Sequence, residues 1–130
     1  MKIDHLAIWV EDLEEMSMFY MTYFSMTRSK IYINEKKQYA SYFLSFPDSE
    51  TRIELMHCPD IASQSQETKY LLKGLAHFAI SVGSINAVNT LTNHLRTDNY
   101  KIASEPRTTG DGYYESQVLD PEGNLIEITE

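Results

Sequence analysis

The amino-acid sequence predicts an α+β protein built from two tandem β-α-β-β-β modules. Three observations carry this. The opening D-H-L-A-I-W-V and the central A-H-F-A-I-S-V share H-x-A-I-x-V when aligned on His5 and His77. Each is followed by a stretch with helical spacing and then by three strand-like stretches. The last of these reads R-I-E-L-M in the first half and L-I-E-I-T in the second, so Glu54 follows His5 by 49 residues and Glu127 follows His77 by 50.

The elements follow in order. Residues 3 to 10 alternate as a strand, with Leu6, Ile8 and Val10 on one face and His5, Ala7 and Trp9 on the other. Asp12 is an N-cap with Glu15 three residues on, and Leu13, Met16, Tyr20 and Tyr23 or Phe24 give the apolar side of a helix from Asp12 to Ser25. Strands are expected over Arg28 to Ile33, Tyr39 to Phe46 and Arg52 to Cys58, with E-K-K and P-D-S-E as turns. The polar run P-D-I-A-S-Q-S-Q-E-T-K is the one linker. After it come a strand from Leu75 to Val82, a helix capped by Ser84 with Val88, Leu91 and Leu95 at helical spacing, and strands at Tyr100 to Ala103, Tyr113 to Leu119 and Leu125 to Thr129. The last two are joined by D-P-E-G-N, in which Asp-Pro opens a turn and Gly-Asn supplies the positive φ that closes it.

A length of 130 residues suits a single domain, with module 1 at 1–60, a linker at 61–73 and module 2 at 74–130. Hydrophobic content of 42% and charged content of 23% are those of a globular chain. Cys58 is the one cysteine, so no internal disulfide forms. The start resembles no signal peptide and no window is long enough for a membrane span, which predicts a cytoplasmic protein without a membrane partner. A formal net charge of −8 with scattered Lys and Arg argues against nucleic acid as a partner.

Residues two apart on a strand share a face, so His5 and His77 lie opposite the apolar Leu6, Ile8, Val10 and Phe78, Ile80, Val82. Glu54 between Ile53 and Leu55, and Glu127 between Ile126 and Ile128, also point away from the core. A lone histidine at a strand start is usually structural, and a lone Glu in such an alternation is usually the wet side of a strand. The duplication shifts that balance. Two imidazoles and two carboxylates at equivalent repeat positions suit a divalent first-row metal, and two carboxylates drawn together repel unless a cation lies between them. Two half-sheets meeting side by side would enclose all four in a trough, and the exposed edge and polar face of such a half-sheet predict pairing as a homodimer.

Paired modules with His, Glu, His and Glu at these places, closing on D-P-E-G-N-x-I-E-I, resemble the vicinal oxygen chelate superfamily, which includes glyoxalase I, extradiol dioxygenases, methylmalonyl-CoA epimerase and the fosfomycin- and bleomycin-resistance proteins. The run E-P-R-T-T-G-D-G-Y-Y-E-S-x-V-L-D-P-E-G-N is most similar to small bacterial glyoxalase-family proteins. The resemblance covers essentially the whole chain and implies the family's curved mixed sheet. It also implies one divalent metal, Zn, Ni or Co with Mn and Fe as further candidates, held by His5, Glu54, His77 and Glu127. The implied chemistry is of lyase or isomerase type on a small-molecule substrate with vicinal oxygens, with Glu127 as base and Glu54 as its counterpart. Relatives of this size often build each site from two chains.

Within that resemblance, glyoxalase I carries an Arg four residues after its first histidine ligand and an Asn four after its first Glu, both holding glutathione. Those places are Trp9 and Cys58 here, which predicts a different substrate. Two alternatives stand beside the glyoxalase reading. An extradiol dioxygenase uses two His and one carboxylate, leaving Glu54 superfluous, and a bleomycin-resistance type of protein sequesters a small molecule without metal. If Leu119 pairs with Leu125, Gln117 sits across from Glu127, with Glu115 and Tyr113 following on the same face as substrate-binding candidates. The two glycines around Asp111 predict a mobile loop. His57 and His94 read as structural, and F-Y-M-T-Y-F reads as helix packing.

Overall fold

A computed structural model describes residues 1–62 and 73–130. Most of the expected linker, residues 63–72, lies outside the described residues. The chain divides into two compact units, Met1–Ser63 and Gln64–Glu130.

The first unit runs β1 (His5–Trp9), α1 (Leu13–Phe24), β2 (Thr27–Arg28), β3 (Tyr32–Asn34), β4 (Tyr39–Ser45) and β5 (Arg52–His57). Its mixed sheet is ordered β1-β5-β4-β2, with β3 also on β4. The first and last strands pair in parallel, Ala7 opposite Glu54, and the remaining pairs are antiparallel. Asp12 caps α1 as expected: its Oδ1 accepts from the backbone N–H of Glu14 and of Glu15, both at 2.9 Å. Ser25 ends the helix at φ 53. The apolar side of α1 (Met16, Phe19, Tyr20, Phe24) is buried along with Ile8, Val10, Leu44, Ile53 and Leu55 of the strands, each such aliphatic contributing about 1.5–3 kcal/mol. A polar clasp fixes the helix on the sheet. Glu14 accepts from the Tyr42 hydroxyl at 2.5 Å and from Arg28 Nη1 at 2.6 Å, while the Arg28 guanidinium lies 4.4 Å over the Tyr42 ring.

The expected strand from Arg28 to Ile33 is broken in two, at Ser29–Ile31. Ser29 is the cause. Its backbone N–H donates to Phe43 O at 2.9 Å, but its hydroxyl accepts from Phe43 N at 3.0 Å and donates to Lys30 O at 2.8 Å. A side chain therefore stands in for the carbonyl of a regular ladder, and the backbone leaves the sheet line.

The second unit runs β6 (Phe78–Ser81), α2 (Ile85–Thr97), β7 (Ile102–Thr108), β8 (Tyr114–Leu119) and β9 (Leu125–Thr129), with strand order β6-β9-β8-β7. Again first and last strands are parallel, Ala79 opposite Glu127. Ser84 Oγ caps α2 by accepting from Ala87 N at 3.2 Å. Val88 and Leu95 of the helix are buried with Val118, Ile126 and Ile128, and Thr92 Oγ1 lies 2.7 Å from Ser116 Oγ inside that core. The strand predicted from Leu75 begins only at Phe78, because its neighbour β9 supplies partners no earlier than that residue and Leu75 is exposed. β7 extends past the predicted Ala103 to Thr108 in spite of Pro106. It is an edge strand whose register shifts between Ile102 and Ser104 and again between Ser104 and Arg107, so the missing proline N–H falls where the ladder is already interrupted.

The D-P-E-G-N turn behaves as its composition demands. Asp120 Oδ1 accepts from Asn124 N at 2.8 Å and Glu122 N at 3.1 Å, its Oδ2 accepts from Asn124 Nδ2 at 2.7 Å, and Gly123 adopts φ 79. Among the described residues no helix is long and apolar enough to cross a membrane.

Candidate functional site

In the first unit, Tyr42 of β4 reaches α1, so its neighbour Phe43 faces the other side of the sheet. Phe43 is opposite Glu54, and Glu54 is opposite Ala7 in the parallel pair, which brings His5, Glu54 and Phe43 onto the helix-free face. His5 Nε2 lies 3.7 Å from Glu54 Oε2. His5 Nδ1 is 2.9 Å from Asp4 Oδ2, and the same oxygen accepts from Arg52 Nη2 at 2.5 Å. These two neighbours hold the Asp4 carboxyl below the usual range, the His5 hydrogen bond being the larger cause. The Arg52 guanidinium stacks 4.4 Å over the Phe43 ring, and Phe43 meets the His5 ring edge-on at 5.3 Å.

The second unit repeats the arrangement with different support. Ser116 points to α2, so Glu115 and Gln117 point the other way, and the pairing of Leu119 with Leu125 sets Gln117 across from Glu127. His77 Nε2 is 3.1 Å from Glu127 Oε2. Glu115, only 6% exposed, hydrogen-bonds to Glu127; that bond, burial and the repulsion of a second carboxylate push its carboxyl up to about 7. Arg107 Nη2 stands 3.5 Å from Glu115 Oε1, and Arg107 Nη1 donates to Ser104 Oγ at 2.5 Å.

Each unit thus brings one imidazole and one carboxylate together. Among the described residues no group of three or more His, Cys, Asp or Glu is gathered to hold an ion. In the first unit the donor chemistry fits a metal ligand pair: with Nδ1–H of His5 donated to Asp4, Nε2 presents its lone pair on the side of Glu54.

The other sequence candidates are dispersed. Trp9 shares the face of His5 and is 52% exposed, while Cys58 is half-buried just past β5. Tyr113 precedes β8 and is exposed; its N–H donates to Thr109 Oγ1 and its C=O accepts from Thr109 N, which closes the turn around Asp111. His57 Nδ1 is 3.0 Å from Val10 O at a strand end, and His94 Nε2 on α2 is 3.3 Å from Asp98 Oδ2 at that helix's C-cap. Asp4, Arg52 and Phe43 were not among the sequence candidates. The signal available was parity, since Arg52 stands two before Glu54 and Asp4 adjoins His5.

Two modules, each closing its first strand on its last and each with a His/Glu pair on the open face, define a paired-module protein with a repeated polar site. The chain belongs to the Glyoxalase/Bleomycin resistance protein/Dioxygenase superfamily, whose family model matches residues 2–128. Among solved structures it is similar to the trypanothione-dependent glyoxalase I of Leishmania major, at 24% identity and TM-score 0.78, over 100% of this chain and 86% of that one. Glyoxalase I of Zea mays matches at 23% identity and TM-score 0.78 over 98% of this chain, which spans 44% of the maize chain. A glyoxalase family protein of Bacillus cereus matches at 17% identity and TM-score 0.82, over 100% of this chain and 93% of that one. A comparison with curated protein sequences finds no match.

Proposed function

We propose that the chain is a metal-dependent lyase or isomerase acting on a small substrate with two neighbouring oxygens. The observation that supports this best is the repeated pair: a His at the start of the first strand, His5 on β1 and His77 immediately before β6, and a Glu on the last strand of each unit, their side chains 3.7 Å and 3.1 Å apart. His5, Glu54, His77 and Glu127 would hold one divalent ion, with the two modules that complete a site drawn from one chain or from two. When bound, the ion would supply Lewis-acid polarisation of the substrate oxygens. Glu127 takes the proton from the adjacent carbon, and Glu115, hydrogen-bonded to Glu127, keeps a proton beside it. Glu54 is its counterpart in the first unit. Trp9 lines the open face with an apolar ring where glyoxalase I has a guanidinium, which speaks for a substrate other than a glutathione adduct.

The test is metal content of the purified protein after loading with Zn, Ni or Co. One ion per completed site is expected, with stoichiometric binding abolished in His5→Ala and in Glu127→Gln. Full metal content in both variants overturns the reading. Tight small-molecule binding by metal-free protein, unaffected by His77→Ala, would establish the sequestering alternative instead.

A further inference from the structure

The first unit carries a guanidinium on the same face as its His/Glu pair, and nothing in the repeat calls for it. Arg52 is two residues before Glu54 on β5 and directly opposite His5 on β1. Its plane is fixed on one side by the Phe43 ring at 4.4 Å, and its Nη2 is tied to Asp4 Oδ2, the oxygen that also holds His5 Nδ1. The backbone reinforces the tie, since Arg52 N donates to Asp4 O at 3.0 Å. Arg52, Asp4, His5 and Phe43 therefore form a closed ring of contacts, and the guanidinium cannot swing away without breaking a charge-assisted hydrogen bond and a cation–π stack. Its side chain is nevertheless 36% exposed, and among the described residues its one carboxylate partner is Asp4, on Nη2. The remaining N–H donors are left for an external acceptor.

The second unit lacks this device. The residue before His77 is Ala76, and the one across from Glu127 is Gln117 in place of Phe43. Arg107 on its edge strand β7 is 48% exposed, but it is held by Ser104 and faces the almost wholly buried Glu115 at 3.5 Å, not a residue that supports the histidine. A strongly acidic chain has thus tied a partly open cation to the carboxylate that holds one of its two histidines.

Charge balance says what such a group is for. A divalent ion held by two carboxylates and two neutral imidazoles is already neutral, so a chelating substrate that carries an anion of its own brings uncompensated negative charge. A rigid guanidinium next to the ligand pair offsets it and binds a carboxylate through parallel N–H donors, which a lysine cannot do. We infer that Arg52 selects anionic substrates, binding a carboxylate pendant to the two chelating oxygens, with Asp4 as its internal competitor. This rests on the metal-site reading above and names the substrate class of that same site.

The test uses Ni-loaded protein and two chelators with the same pair of neighbouring oxygens, acetohydroxamate and succinic monohydroxamate, the second carrying a pendant carboxylate. Calorimetric titration should show the carboxylate-bearing ligand bound about tenfold more tightly by the wild type, a difference of the size of one charge-assisted contact. In Arg52→Gln the ratio of the two affinities should fall to about one, and Arg52→Lys should restore only part of it. Asp4→Asn should move the ratio the other way, above the wild-type value, because the competing carboxylate is gone. A merely structural arginine would not produce that rise. Equal affinities in the wild type, or a preference that survives in Arg52→Gln, would overturn the inference while leaving the metal reading intact. Failure of the wild type to take up nickel would overturn both.

Discussion

Glu115 hydrogen-bonds to Glu127 across the β8–β9 ladder, on the sheet face turned away from α2. Two carboxyl groups in such contact cannot both ionise cheaply, and the more buried one keeps the proton. Glu115 is therefore pushed from the ordinary 4.5 up to about 7. Because the folded value is the higher one, its contribution to stability is fully present below about pH 4.5 and is lost as pH rises through about 7.

Glu115→Gln should remove that loss. In metal-free protein the variant should gain stability relative to wild type as pH is raised from 5 to 8, with little difference at pH 4.5. Thermal melts across that range check it. A constant offset at every pH would show that the two carboxyls do not interact.

Asp4→Asn should weaken metal binding about 10- to 100-fold without changing stoichiometry, the usual size for loss of a carboxylate that orients a histidine ligand. Competition against a colorimetric chelator measures it. No comparable change is expected on substituting Ala76, which offers His77 no such support. Unaltered affinity in Asp4→Asn would mean that His5 is not oriented through Nδ1.

Turnover of a methylglyoxal–glutathione hemithioacetal is expected to be weak or absent in Zn-, Ni- and Co-loaded protein, given Trp9 and Cys58 at the positions where glyoxalase I holds the peptide. Efficient turnover would restore glutathione as the substrate. Ring cleavage of a catechol by the Fe(II) form under oxygen would instead move the chain to the dioxygenase branch.

A homodimer is expected in solution, checked by sedimentation at micromolar concentration. A stable monomer would leave only sites completed within one chain.

Asp120→Ala should cost about 2–3 kcal/mol, because the side chain is 4% exposed and holds the β8–β9 turn through two backbone N–H groups and the Asn124 amide. Urea unfolding measures the loss. Since that turn sets Gln117 opposite Glu127, the variant should also bind metal less tightly at the second pair.

The repeat was legible because chemistry and periodicity coincide in it: His and Glu recur at matching places among alternating apolar residues, and the D-P-E-G-N turn joins β8 to β9 with Leu119 opposite Leu125. Helix starts were legible for the same local reason, since Asp12 and Ser84 cap within three residues of themselves. What escaped depends on partners distant in sequence. The break after Arg28 follows from Ser29 bonding to Phe43, and the length of β7 from its being an edge that tolerates Pro106. The Asp4–Arg52–Phe43 cluster joins three segments whose registers no local pattern encodes.

The parallel closure of each module, first strand on last, has a consequence for how the protein comes into being. Neither His/Glu pair can exist until almost the whole of its module has been synthesised and the terminal strand has docked beside the initial one. Such non-local contacts carry the full entropy of closing the intervening loop and form late. The half-sites are thus the last features of each module to assemble, and metal supplied during refolding should bind after, not before, the rise of helical signal.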